Sequence, residues 1–296
     1  MKNIRLTLKQ GERMVIVGAS GCGKTTLLKS IAGLHPIKEG GIWFKQEQVK
    51  DPFEQLVPGH PLIKLVNQDF DLNSHHSVEE NIRIKLLKYD SAYKQNRIDE
   101  LLKLTELTPF KDFKAKNLSG GQKQRLAIAR ALADEPELLL LDEPFNQLDY
   151  HLKRKIESYI LDYVERHRIS LILVSHNGEE SMRWANQIAF MQNGKIKRFD
   201  TPAKFYNHPT NKYEANFFGK LNTILIDRKE LSFRPHHFSL TAKRGYIKLE
   251  TKLISKINNG WYVDYQFKYG KRLFSIYSQH SLKDVNIIWV KPILFK

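Results

Sequence analysis

The sequence predicts an α/β fold with a helical subdomain and a small all-β module at its C-terminal end. Three observations predict it. Met14-Val15-Ile16-Val17, Leu138-Leu139-Leu140-Leu141 and Leu171-Ile172-Leu173-Val174 are short continuous apolar runs, the pattern of strands buried on both faces of a parallel sheet. Each is followed by glycine or polar residues, at the edge where open α/β sheets carry their ligands. Beyond Leu221 the texture changes to short runs of period-two alternation, the pattern of half-buried strands.

The first run enters Gly18-Ala19-Ser20-Gly21-Cys22-Gly23-Lys24-Thr25-Thr26, which fits the Gly-x-x-x-x-Gly-Lys-Thr phosphate loop. A helix is expected from Thr25, because Leu27, Leu28, Ile31 and Leu34 recur at helical spacing and Gly33 reads as a C-cap. Backbone N–H groups of such a loop, and the partial positive charge of the helix N-terminus, point at an anion. Lys24 reaches the β- and γ-phosphates in this reading, and Thr25 offers its hydroxyl to Mg²⁺, which takes oxygen ligands. A Gly-rich turn that binds nothing is the alternative; strand, loop, Lys-Thr and helix standing in register argue against it.

Gln68 follows Leu65-Val66-Asn67, where its amide could sense Mg²⁺ and the attacking water or simply cap a loop. Next, Ser77-Val78-Glu79-Glu80-Asn81-Ile82 carries a helix N-cap signal with an acid at the third position, and Ile98 to Leu104 continues with apolar helical spacing. In Leu118-Ser119-Gly120-Gly121-Gln122-Lys123-Gln124-Arg125, a serine and two glycines open a helix with Leu126, Ile128, Ala129 and Leu132 on its apolar face. Its N-terminus implies a second anion site, yet one γ-phosphate does not need two such helices from one chain.

The run from Leu138 ends in Asp142, Glu143 and Pro144, so a core strand delivers two carboxylates to one edge. Asp142 is expected to hold Mg²⁺ through water, and Glu143, re-aimed by the strand end, to polarise the attacking water. The run from Leu171 ends in Ser175 and His176, whose imidazole can hydrogen-bond a γ-phosphate and that water together.

Taken together, these segments closely resemble the ATP-binding cassette (ABC) family over Asn3 to about Asn222. The resemblance implies an ABC ATPase, a P-loop NTPase core that binds ATP and Mg²⁺ and works as a head-to-tail homodimer. Ser119, Gly120, Gly121 and Gln122 then face the ATP of the second protomer, and Asp149 in Asn146-Gln147-Leu148-Asp149 communicates across the dimer. Relatives more often carry Ser or Thr where Asn146 stands. The resemblance also implies an N-terminal strand and an adenine-stacking aromatic upstream of the segment matching Asn3 to Leu8. This sequence opens at Met1, so the base is held otherwise, or the native start lies upstream, or binding is weaker by roughly 1–3 kcal/mol for one lost stack.

The Phe233-Arg234-Pro235-His236-His237-Phe238 stretch resembles the element that opens the OB/TOBE-like domain of some importer ATPases. With Ser175-His176-Asn177-Gly178-Glu179-Glu180 and Met191-Gln192-Asn193-Gly194-Lys195-Ile196, it is similar to ATPases driving uptake of polyamines, iron(III), sulfate, molybdate or sugars. The expected domains are residues 1–221 for the ATPase, with a helical subdomain at about 70–130, and 222–296 for the β module. Transmembrane permease subunits and an extracytoplasmic substrate-binding protein are the implied partners, with residues 69–77 as the permease contact. The implied location is the cytoplasmic face of the membrane.

Composition bounds this reading. No apolar run approaches the ~18 residues of a membrane helix, and Met1-Lys2-Asn3-Ile4-Arg5 has no signal-peptide h-region. The single Cys22 excludes an internal disulfide, and its place in the phosphate loop marks it as a labelling probe that nucleotide would cover. Of the formal charge of +16, residues 220–296 hold a net +10, from 15 Lys/Arg against 5 Asp/Glu. That excess reads as a solvated face or as a surface for anionic headgroups or nucleic acid. In Trp261 to Tyr269 the odd positions are apolar or aromatic, which favours core packing over a base-stacking platform, and no nucleic-acid partner is expected. Two other classes remain at this stage: a soluble ABC ATPase acting on ribosomes or nucleic acid, and a degenerate nucleotide-sensing regulatory subunit.

Overall fold

The computed structural model describes residues 3–67, 70–133 and 135–295. The chain divides into two compact units, one formed by the chain up to His176 with Arg183–Asp200, the other by Asn177–Met182 with the chain from Thr201 onward.

In the first unit the strands are β1 (Arg13–Val17), a short hairpin of β2 (Trp43–Phe44) and β3 (Glu47–Gln48), β4 (Ile63–Val66), β5 (Leu138–Asp142), β6 (Ser170–Ser175), β7 (Gln187–Gln192) and β8 (Lys195–Asp200). Six of them form one sheet in the order β4-β5-β6-β1-β7-β8, parallel throughout except that β8 runs antiparallel to β7. The three apolar runs are its centre: Met14–Val17, Leu138–Leu141 and Leu171–Val174 are all buried, as a sheet covered on both faces requires. Each such aliphatic side chain contributes roughly 1.5–3 kcal/mol on leaving water.

Helix α1 (Lys24–Ile31) leaves β1 through the loop and packs Leu27 and Leu28 into this core. It stops where Gly33 takes φ 72° and the Leu34 N–H donates back to the Lys29 carbonyl at 2.9 Å. Leu34 therefore lies past the cap and is 43 % exposed, so it does not extend the apolar face.

Helices α2 (Val78–Arg83), α3 (Ser91–Leu104) and α4 (Gly120–Ala133) form the helical part between β4 and β5, packing Val78, Ile82, Ile98, Leu101, Leu126 and Leu132 together. The N-terminal signal at Ser77 is a reciprocal capping box. Ser77 Oγ accepts from the Glu80 N–H at 3.1 Å, and the Ser77 N–H donates to Glu80 Oε2 at 2.6 Å. From within α2, fully buried Asn81 exchanges hydrogen bonds with the Asn73 backbone of the preceding loop and donates to the Ser77 carbonyl at 2.9 Å. The same loop is laced to the segment leading into α4, with Lys116 N–H donating to Ser74 O and Ala115 N–H to His76 O, both at 2.9 Å. Helix α5 (Tyr150–Arg166) follows β5.

The second unit begins earlier than the expected boundary at residue 222. Two short helices, Pro202–Asn207 and Lys212–Phe217, group with the C-terminal strands. The physical reason is Arg234. Its guanidinium is fully buried and donates to the carbonyls of Ala215 at 2.8 Å, Gly219 at 2.7 Å and Tyr206 at 3.2 Å, while stacking 4.3 Å from the Tyr206 ring centroid. The strands form a hairpin (Asn222–Ile226 with Lys229–Phe233) and two three-stranded sheets around a core of Ile224, Phe233, Leu249, Tyr265, Phe267, Phe274 and Ile288. The alternation read at 261–269 holds from Val263 onward, placing Tyr265 and Phe267 in that core. Trp261 falls outside the strand and is 77 % exposed.

In this unit burial, reinforced by neighbouring His236, Lys291 and Arg234, pushes the His237 imidazole down to about 4 from an ordinary 6.5. Above pH 6.5 the ring is neutral in folded and unfolded chains alike and contributes nothing. As pH falls from 6.5 toward 4 the unfolded chain binds the proton first, so stability declines across that window. Thermal unfolding at pH 7 and pH 4.5 is expected to show a drop in Tm that is smaller in His237→Gln.

Candidate functional site

β1, β5 and β6 are neighbours in the sheet, and their C-terminal ends are level: Val17 pairs with Ser175, and Asp142 pairs with Val174. The phosphate loop, the two acids and the imidazole therefore leave the sheet side by side.

The loop is fixed by close approach. Gly18 has φ 156°, and a Cβ there would stand 2.1 Å from the Met191 carbonyl oxygen of β7, so no other residue fits. Gly23 is the N-cap of α1, with φ 100°. Lys24 is buried, and its ammonium donates to the carbonyls of Gly18 at 2.9 Å and Ala19 at 3.0 Å. A cavity of about 370 Å³ opens beside the loop, lined by Ala19 to Gly23, by Thr26 and by Gln192 to Gly194. The Gly194 N–H donates to the Cys22 carbonyl at 3.1 Å, binding the β7–β8 turn to the loop. Sequence reading noted this Asn-Gly turn but not its place in the site; a turn residue gives no local signal of what it abuts. The Cys22 thiol, marked in the sequence as a labelling probe, packs in the core cluster under the loop and is only 8 % exposed.

Asp142 is 2 % exposed. Among the described residues neither of its carboxylate oxygens has a hydrogen-bond partner, and the Thr25 hydroxyl lies near enough to favour its charged form. Burial pushes this carboxyl up from its ordinary range, and Glu143 adds to the push; Thr25 and Lys24 pull the other way. A buried, unpartnered carboxylate beside a hydroxyl is a hard oxygen donor pair, and it fits Mg²⁺ that draws its remaining ligands from phosphate and water. No group of three His, Cys, Asp or Glu side chains able to hold a metal occurs among the described residues, so such an ion would depend on its substrate for ligands.

Glu143 takes the left-handed backbone, φ 49°, and its N–H donates to the Val174 carbonyl at 3.1 Å. Its Oε1 lies 3.1 Å from His176 Nδ1, and its Oε2 accepts from Asn146 Nδ2 at 2.6 Å. Glu143 and His176, read separately in the sequence, are thus in contact. Gln124 of α4 is a further contributor that the sequence did not single out. Its amide donates to the Glu143 carbonyl at 3.5 Å and accepts from the Gln147 N–H at 3.1 Å. A glutamine one turn into a helix is ordinarily solvated, so nothing local marked it.

At the start of α4, Ser119 and Gln122 cap one another: the Ser119 N–H donates to Gln122 Oε1 at 2.8 Å, and Ser119 Oγ accepts from the Gln122 N–H at 3.3 Å. A Cβ on Gly120 would come within 2.6 Å of Gln147 Oε1, and one on Gly121 within 3.0 Å of the Gln147 carbonyl. These glycines therefore let the 143–147 turn lie against the helix start, a role beyond anion binding. Asp149 caps α5, accepting from the Leu152 N–H at 3.0 Å, and that bond holds its carboxyl below the usual range. Gln68 lies outside the described residues.

A family model described as "ABC transporter" matches residues 1–146. The spermidine/putrescine import ATP-binding protein PotA of Bacillus thuringiensis subsp. konkukian is 34 % identical over 266 residues, covering 89 % of this chain and 78 % of that protein. The Fe(3+) ions import ATP-binding protein FbpC of Fusobacterium nucleatum is 37 % identical over 226 residues, covering 76 % of this chain and 60 % of that protein. Among solved structures, a dimeric post-hydrolysis state of the ATP-binding cassette MJ0796 bound to ADP and Pi is similar with a TM-score of 0.62 at 31 % identity, over 68 % of this chain and 90 % of that one.

With its thiol in the core, Cys22 should react with a maleimide far more slowly in the native protein than in urea. Mg-ATP should slow it further, because ligand binding suppresses the opening that exposes the thiol. A native rate matching that of the unfolded chain would contradict the packing of the loop.

Proposed function

Since the chain belongs to the ABC transporter ATP-binding family, whose members hydrolyse ATP to drive transport, we propose that it powers a polyamine or iron(III) importer as a head-to-tail homodimer. The observation that carries the reading is the Glu143–His176 pair, 3.1 Å apart, at the end of two strands that stand beside the phosphate loop. A nucleotide seated there has its phosphates at Lys24 and the backbone N–H groups of Gly21 to Thr26. Mg²⁺ would be held by Thr25 and Asp142, with Gln68 assigned to it from the sequence alone, and would neutralise charge on the phosphates. Glu143 accepts a proton from the water that attacks the γ-phosphorus, while the His176 imidazole, beside that carboxylate, reaches the γ-phosphate.

The second copy completes the site in this reading. Its Ser119, Gly120, Gly121 and Gln122 present a helix N-terminus to the same phosphates, and its Asp149 sits on the turn that crosses the interface. Closure with ATP and reopening after hydrolysis are passed to the permease subunits at residues 69–77; an extracytoplasmic binding protein supplies the cargo. Among the described residues no helix is long and apolar enough to cross a membrane, and the proposed place of work is the cytoplasmic face of one. Support for polyamines over iron(III) comes from the relatives: the polyamine-import relative aligns over 89 % of the chain, the iron-import relative over 76 %.

Glu143→Gln should keep ATP affinity while lowering turnover by roughly 10²–10⁴-fold, the usual worth of a positioned base. Mg-ATP should then trap it as a dimer, readable by light scattering; unchanged turnover would remove Glu143 from this role. Loss of spermidine uptake on deleting the gene, restored by the wild-type chain but not by Glu143→Gln, would test the cargo.

A further inference from the structure

Beyond Asp142 the chain leaves the sheet through Glu143, Pro144, Phe145, Asn146 and Gln147, a turn pinned at several points. The Glu143 N–H is held by Val174, and Gln124 bonds both the Glu143 carbonyl and the Gln147 N–H. Phe145 is buried and stacks on Trp184 with ring centroids 5.3 Å apart. A turn so restrained sustains the left-handed backbone of Glu143, which an unsupported glutamate rarely adopts.

Restraint of the backbone does not restrain the carboxylate, whose last torsion is broad. Two contacts do: His176 Nδ1 stands 3.1 Å from Oε1, and Asn146 Nδ2 donates to Oε2 at 2.6 Å, at the short end for an N–H donor on a charged oxygen. The opposite amide orientation would set Asn146 Oδ1 against a carboxylate oxygen, so the contact itself selects the NH₂ group. A carboxylate offers two lone-pair sites on each oxygen, so these contacts fix its plane while acceptor capacity remains for a water.

We infer that Asn146 is a positioning residue for hydrolysis: its amide locks the Glu143 carboxylate in the orientation that takes the proton from the attacking water. This rests on the base role proposed for Glu143. Asn146 is itself exposed, and its side-chain amide donates to Glu143, the group through which it acts.

The test is steady-state ATP turnover and nucleotide affinity in the full-length protein. Asn146→Ala should lower kcat roughly tenfold, the loss expected for one hydrogen bond to a charged group. KM and ATP affinity should stay at wild-type values. Asn146→Ser keeps a donor and should recover part of the loss, whereas isosteric Asn146→Asp sets a like charge against Glu143 and should lose more than alanine. In a Glu143→Gln background Asn146→Ala should cost nothing further, because the two act as a unit. Wild-type kcat in both Asn146→Ala and Asn146→Asp, or a rise in KM in place of the fall in kcat, overturns the inference. If Glu143→Gln itself retains turnover, the base assignment fails and this inference falls with it; if Glu143→Gln is inactive while the Asn146 variants are not, only the role of Asn146 is lost.

Discussion

The parallel register of β5, β6 and β1 is the constraint on which the site depends. Asp142 beside Val174, and Val17 beside Ser175, bring three strand ends to one level. A shift of a single residue in either pairing would turn Asp142 or Ser175 to the other face of the sheet and break the site. Continuous apolar side chains on these strands resist such a shift, because both faces are buried and every slip would bring a polar end residue into the core. The same burial leaves Asp142 without a hydrogen-bond partner among the described residues, a cost of about 1–3 kcal/mol for an unsatisfied group that a bound cation would relieve. Core packing and chemistry are thus parts of one arrangement.

A second layer of contacts ties that edge to α4. Gln124 bridges the turn after β5, Gln147 lies over Gly120 and Gly121, and the loop before α2 is hydrogen-bonded to the segment that leads into Ser119. The acids, the helix start and the loop at residues 70–77 are therefore connected within one unit by named hydrogen bonds. That is the physical content of coupling: displacement of one of these elements has to break or carry the bonds to the next.

The C-terminal unit is organised by a different group. Arg234 is a cation held inside by backbone carbonyls and the Tyr206 ring, and desolvation holds its pKa below the ordinary value. Removing it would leave several carbonyls unpaired, which is why the two short helices belong structurally with these strands. The unit's net positive charge has no comparable role in its core, since Tyr265, Phe267 and Phe274 supply the packing.

Much of this was legible in the sequence because the governing signals are local. Apolar runs fixed the buried strands, glycines and Lys-Thr fixed the phosphate loop, Ser77 with Glu80 fixed a helix start, and alternation fixed the core face of Val263 to Tyr269. Each depends on residues within a few positions of one another, where periodicity and capping operate. Four features were decided only by tertiary structure: the inward burial of Cys22, the hydrogen bond from Asn146 to Glu143, the bridge made by Gln124, and the capture of residues 202–217 by Arg234. Their partners lie on other elements or depend on the turn that aims a side chain, and no spacing in a linear chain encodes which side chain will meet which. Sequence determined the chemical parts and the strand ends that carry them; packing determined how those parts are aimed.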